Sequence, residues 1–211
     1  MWTLLRGACA ALLLALALPA AAQGTANASA APDALVARIS NEVLDALRND
    51  KALQGDPVRI AEMVEAKVLP HVDFEKMTRL AVGLGWRQAS AEQRQTLVRE
   101  FRKLLLYTYS GAVTQISDQN VVMKPLRQGS SADDVVVQSE IVASKGAPVA
   151  LDYRMEKTAA GWKVYDINVA GVWLVESYRN QFGPEVKANG VDGLIKSLSE
   201  RNARLAAARK A

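Results

Sequence analysis

The chain carries a single cysteine, Cys9, and a single histidine, His71, in 211 residues. One cysteine forms no internal disulfide. One histidine does not make a zinc site of the usual kind, which draws on two or three such ligands. No Gly-x-Ser-x-Gly nucleophile motif occurs, and Gly83-x-Gly85 is a fragment of a phosphate loop that opens no strand–helix unit. Basic and acidic residues number 26 and 22 and are interleaved, with no polybasic patch. Nucleic acid is therefore not an expected partner.

What is present begins with an export pattern. Met1-Trp-Thr-Leu-Leu-Arg6 bears one positive charge, Gly7 to Leu18 bears none, and Pro19 precedes Ala20-Ala21-Ala22. This predicts a cleaved signal peptide over residues 1–22 with Gln23 as the new N-terminus. The apolar run is about a dozen residues, short of the roughly 20 needed to span a bilayer. Cys9 lies at the start of that run rather than after it, which is the wrong place for a lipoprotein cysteine. Cleavage removes Cys9 and Arg6, leaving 189 residues, no cysteine, and a formal charge of +3 in place of +4. Thiol catalysis and cysteine metal sites go with it, and hydrophobic burial must hold the fold without disulfides. Residues 23–32 read as a flexible leader, and 33–211 as one domain with room for a real core.

Leu35, Ile39, Val43 and Leu47 recur at helical spacing, with Val36 and Leu44 beside them, predicting a first helix to about Asn49. Asp56-Pro57 starts a second, carrying Ile60, Met63, Val64 and Val68 and stopped by Pro70. Asp73 caps a short third helix with Phe74, Met77 and Leu80. The glycines of Leu80–Trp86 interrupt the pattern. Ser90-Ala-Glu-Gln93 is a capping box that opens a long helix to about Ser117, with Leu97, Phe101, Leu104, Leu105, Thr108, Ala112 and Ile116 on its core face.

From Asn120 the period changes to that of strands. Candidates are Val121–Leu126, Val135–Ala143, a strand beginning at Val149, and Trp162–Val169, joined by short turns as an antiparallel meander. In the third, Val149, Leu151, Tyr153 and Met155 alternate with Asp152, Arg154 and Glu156, so one face is buried and one wet. Helical spacing returns at Val172, Leu174, Val175, Tyr178 and Phe182, is broken at Gly183-Pro184, and resumes from Asp192. The fold class is segregated α+β: N-terminal helices, a four-stranded curved antiparallel sheet, and C-terminal helices enclosing an apolar cavity, as in NTF2-like or cystatin-like folds.

Few polar groups converge. Asp152 and Glu156 read as solvated strand positions, Asp166 as a carboxylate bonding backbone near a strand end, and His71 as a helix-terminus histidine. Much apolar surface with few convergent polar groups fits a binder of apolar ligands better than an enzyme, although a cavity lining and a solid core look alike in sequence.

Four stretches carry a likeness. Val68-Leu-Pro-His-Val-Asp73, Ala91-Glu-Gln-Arg94 followed by Phe101 and Tyr109, Trp162-Lys-Val-Tyr-Asp-Ile167, and Gly171-Val-Trp-Leu174 through Tyr178-Arg179 and Gly190-Val-Asp-Gly-Leu194 resemble, in order, the MlaC or toluene-tolerance family. Trp173 departs from the small polar residue often found there; if it borders the pocket, the cavity is narrower or differently shaped. The resemblance implies a periplasmic phospholipid carrier that is not an enzyme, holds no cofactor, and takes phospholipid as cargo. Its implied partners are an inner-membrane ABC transporter with its substrate-binding subunit and an outer-membrane lipoprotein–porin complex.

Tails are expected between sheet and helices. Candidate lining residues are Leu84, Trp86, Phe101, Leu105, Tyr109, Val137, Ile141, Leu151, Tyr153, Ile167, Val169, Val172 and Leu174, each equally compatible with core packing. Arg87 and Arg179 are candidates for headgroup contact at the rim. Two other readings stay open: an isomerase- or hydrolase-type enzyme using Asp152, Asp166 or His71 as base, and a lipid-free scaffold. With no dimer stripe evident, a monomer is expected.

Overall fold

The computed structural model describes residues 31–53, 55–113 and 118–209. The expected signal peptide, nearly all of the leader, and the end of the long helix near Ser117 lie outside them. The described residues form six helices: α1 Pro32–Asn49, α2 Pro57–Lys67, α3 Phe74–Val82, α4 Leu84–Gln88, α5 Ala91–Val113 and α6 Leu174–Ala208. A 3₁₀ turn, Leu69–His71, follows α2.

The helix starts follow from local chemistry. Asp56 accepts the N–H groups of Val58 and Arg59 at 2.9 and 3.1 Å, and Asp73 accepts that of Lys76 at 2.8 Å. Ser90 and Gln93 exchange the reciprocal bonds of a capping box, 2.9 and 3.1 Å. Gly83, at φ 63°, ends α3 and re-aims the chain into α4.

The sheet strands are β1 Asn120–Met123, β2 Arg127–Ser131, β3 Asp134–Val142, β4 Val149–Thr158, β5 Gly161–Val169 and β6 Val172–Trp173. Their order is β1-β3-β4-β5-β6, with β2 also paired to β3 and every pair antiparallel. The expected first strand, Val121–Leu126, forms as β1 but ends at Met123, and a further strand, β2, follows it along β3. Pro125, which has no N–H for the ladder, stands at the break. The serine-rich segment expected to be a turn supplies β2, and β6 extends the meander by two residues.

β5 departs from strict alternation. Met155 pairs with Val164, but Arg154 pairs with Asp166, leaving Tyr165 as the extra residue of a bulge. The bulge puts Val164 and Ile167, three apart, on one face. A second departure concerns α6, which continues through Gly183-Pro184 and breaks instead at Gly190, φ 68° and ψ −173°.

Among the described residues burial forms three clusters, the first two meeting only at the half-buried Val72 and Ile167. Met77, Trp86, Leu97, Phe101, Leu104, Leu105, Leu174, Tyr178, Phe182 and Leu194 form a helical core from α3, α4, α5 and α6, in which Phe101 packs edge-on against Tyr178 and Phe182 with centroids 4.9 and 5.4 Å apart. Leu35 and Val36 of α1 pack on Val135, Val137, Met155 and Val164 of the sheet. Leu47, Leu53 and Ile60 tie α1 to α2.

Candidate functional site

Between α1 and the sheet lies an apolar cavity of about 190 Å³. α1 supplies Val36, Ile39, Ser40, Val43 and Leu44, the segment after α2 supplies Val68, His71 and Val72, and the sheet supplies Val121, Ile141, Leu151, Tyr153, Val164 and Ile167. The sheet residues share one face because strand partners point the same way: Ile141 opposes Val121 and Val149, and Leu151 opposes Val169.

That face continues beyond the cavity. Val169 pairs with Val172 of β6, and Val149 and Val172 are 40% and 55% exposed. The cavity therefore opens onto an apolar shelf of Ile141, Val149, Leu151, Val169 and Val172.

Polar groups at the cavity are few. Tyr153 is half-buried there, and desolvation pushes its hydroxyl up to about 12, outweighing the hydroxyls of Ser139 and Ser40 beside it. His71 borders the cavity; burial lowers its pKa, Arg38 and Lys163 lower it further, and Glu42 pulls the other way. Lys163 Nζ donates to the Pro70 carbonyl at 2.6 Å, and Arg38 pairs with Glu42 at 2.7 Å. Burial and the two cations thus favour the neutral form of the imidazole on a mostly apolar wall.

The opposite face of the sheet carries ordered polar pairs. Lys76 on α3 meets Glu156 at 2.6 Å and sits 3.7 Å from the Tyr165 ring centroid, and Tyr165 donates to Asp134 at 2.9 Å. Arg154 lies 4.0 Å over the Trp173 ring and pairs with Asp166 at 3.0 Å. Trp173 is thus placed away from the cavity, stacked on a guanidinium, and does not narrow it. The face expected to be wet is half covered by these stacks. Asp166, fully buried, also accepts the N–H groups of Ile167 and Val175; burial raises its pKa against those bonds and Arg154.

The sequence-derived lining residues separate on this framework. Ile141, Leu151, Tyr153 and Ile167 line the cavity, Val137 lies under α1 in the same layer, and Val169 and Val172 form the shelf. Phe101, Leu105, Trp86 and Leu174 belong to the helical core, with Tyr109 packed against it. Leu84 is 69% exposed in a separate groove with Arg87 and Arg179, so neither arginine stands at the cavity rim. The enzyme candidates separate too: Asp166 is fully engaged, Asp152 is on the face away from the cavity, and only His71 borders it.

Sequence reasoning missed the α1 contribution. The stripe of α1 was legible, but Ser40 at its centre was the one sign that this helix borders a space rather than a solid core. Among the described residues no helix is long and apolar enough to cross a membrane, and no group of three His, Cys, Asp or Glu residues is placed to hold a metal.

Comparison with known proteins agrees with this architecture. A phospholipid-binding protein from Ralstonia solanacearum, solved in complex with a phospholipid, superposes with a TM-score of 0.79 at 43% identity, covering 84% of this chain and 99% of that one. The intermembrane phospholipid transport system binding protein MlaC of Haemophilus influenzae is 26% identical over 180 residues, covering 83% of this chain and 84% of the relative. Toluene tolerance protein ttg2D of Pseudomonas putida is 25% identical over 170 residues, covering 78% and 77%. The family model for MlaC protein matches residues 37–200, a span that runs from α1 into α6 and takes in all the cavity-lining residues but Val36. The chain belongs to the MlaC family.

Proposed function

We propose that this protein is a phospholipid carrier whose acyl tails occupy the space between α1 and the sheet. The observation that carries the reading is the apolar cavity continuing onto the exposed Val149–Val172 shelf. Transferring apolar chain out of water gains about 0.8 kcal/mol per methylene. Two long acyl chains left exposed would therefore cost on the order of 20 kcal/mol, and a carrier must cover most of that length. The headgroup stays in water, so the wall needs few charges.

The enclosed 190 Å³ is smaller than the roughly 300–1,000 Å³ of a typical ligand pocket. A two-chain lipid uses the shelf as well, and loading lifts α1 from the sheet. Residues 1–22 serve as a cleaved export signal, the expected leader is shortened to end ahead of Pro32, where α1 begins, and the domain works in the periplasm. There it moves phospholipid between an inner-membrane ABC transporter with its substrate-binding subunit and an outer-membrane lipoprotein–porin complex, maintaining outer-membrane lipid asymmetry. The names of the relatives support the lipid cargo, and the reading assigns no catalytic residue.

Native mass spectrometry of protein purified without detergent tests it. One phospholipid is expected to co-purify. A clean lipid-free mass, together with no uptake from liposomes, leaves the lipid-free scaffold instead.

A further inference from the structure

A groove of about 770 Å³ lies between α4 and α6, lined by Val82, Leu84, Arg87, Arg179, Val186 and Lys187 with three glycines among them. None of its lining residues borders the cavity. On α6 the lining positions 179, 183, 186 and 187 form one helical face.

Each glycine has a distinct effect. Gly83, at φ 63°, turns the chain so that Leu84 opens α4 at 69% exposure. Gly85 lets α4 approach α6 closely, since an added Cβ would lie 2.8 Å from Val186 Cγ1. Gly183 meets no packed neighbour, since an added Cβ would find nothing within 4 Å beyond its chain neighbours, and it spares α6 the clash that a Cβ just before Pro184 would make with the proline ring. Its effect is to leave the groove floor open between Arg179 and Lys187.

The charge is one-sided. Three cations and no carboxylate line the groove, and among the described residues none of the three is in an ion pair. Arg179 Nε donates to the Leu80 carbonyl at 2.8 Å, which fixes the guanidinium without neutralising it. Glu185, next along α6, accepts from Asn189 instead.

We infer that this groove docks an acidic, apolar-studded segment of a protein partner, with one apolar side chain against Leu84 and Val186 and carboxylates on Arg87, Arg179 and Lys187. The exposed leucine and the open floor at Gly183 are both complementary to such a segment. A flat lipid surface fits less well, because the apolar contact lies in a concave groove.

The test uses a synthetic helical peptide with leucine and glutamate one turn apart, and a twin with serine for leucine. Binding to the folded protein is followed by fluorescence anisotropy and mapped by NMR. The leucine peptide is expected to perturb Leu84, Arg179 and Val186, and Arg87→Glu with Lys187→Glu to weaken it about tenfold or more. Leu84→Ser should weaken it as well, while the cavity variant Leu151→Asp leaves it unchanged, which keeps this test independent of the lipid reading. Equal binding of the serine twin, perturbations that map elsewhere, or no binding at all overturn the proposal. So does groove-dependent binding to mixed phosphatidylcholine–phosphatidylglycerol vesicles without peptide binding.

Discussion

Asp166 Oδ1 on β5 accepts the backbone N–H of Val175 in the first turn of α6 at 3.0 Å. Trp173, at the cap position, offers no side-chain bond, so a strand carboxylate serves an N–H that helix geometry leaves unpaired. The same oxygen takes the Ile167 N–H, and Arg154 holds the other oxygen. Asp166→Ala should therefore cost about 2–4 kcal/mol in urea unfolding, and Asp166→Asn less, because it keeps an acceptor. The pH dependence has a definite sign. With the folded pKa raised above 3.8, the unfolded chain loses its proton first, so this group's contribution to stability falls as pH rises from 3.8 through the folded value. Asp166→Asn should flatten that window.

His71 has the opposite sense. Its folded pKa lies below 6.5, so the unfolded chain gains a proton first as pH falls. Stability attributable to His71 is constant above 6.5 and declines below it, towards the folded value. The groups that face it are Arg38 and Glu42 on α1 and Lys163 on β5. Thermal unfolding of His71→Gln between pH 7.5 and 5 should show a smaller loss than the parent protein.

The two apolar regions should respond differently to substitution. Leu151→Asp places a charge on the cavity wall and should abolish lipid co-purification from a folded protein; retention by that variant would place the tails elsewhere. Leu105→Ala hollows the helical core instead and should cost about 2–4 kcal/mol without changing the lipid mass carried by the folded fraction. Circular dichroism with native mass spectrometry reads both.

The glycines of the groove predict different stability effects. Gly183→Ala adds a methyl that meets no packed side chain but crowds the Pro184 ring, so it should shift stability by less than about 1 kcal/mol while weakening the acidic leucine peptide. Gly85→Ala meets Val186 at 2.8 Å and should lower the melting temperature.

Signals carried by adjacent residues were legible in the sequence. Asp56, Asp73 and the Ser90–Gln93 box start helices as expected, because a cap is decided by neighbours. Signals that depend on tertiary pairing were not. The Tyr165 bulge leaves no local mark, and Gly183-Pro184 reads as a stop although the helix passes through it, at an exposed position where water can serve the Asn180 carbonyl freed by proline. Leu84 and Leu151 are both leucines in apolar company, yet one faces solvent beside a left-handed glycine and the other faces a cavity. Hydrophobicity marks both as apolar; only the packing of α4 on α6 and of α1 on the sheet tells them apart.

The separation of the buried clusters has a mechanical meaning. α1 seals the cavity through the sheet-side layer and α2, while the core of α3 to α6 includes none of its residues. A fluctuation that frees α1 would thus leave the aromatic knot of Phe101, Tyr178 and Phe182 intact, as a local opening well below the cost of global unfolding. Hydrogen exchange should find α1 fast and α5 slow, with cargo slowing only α1. The molecule would be soft where it admits its load and stiff where it presents its groove.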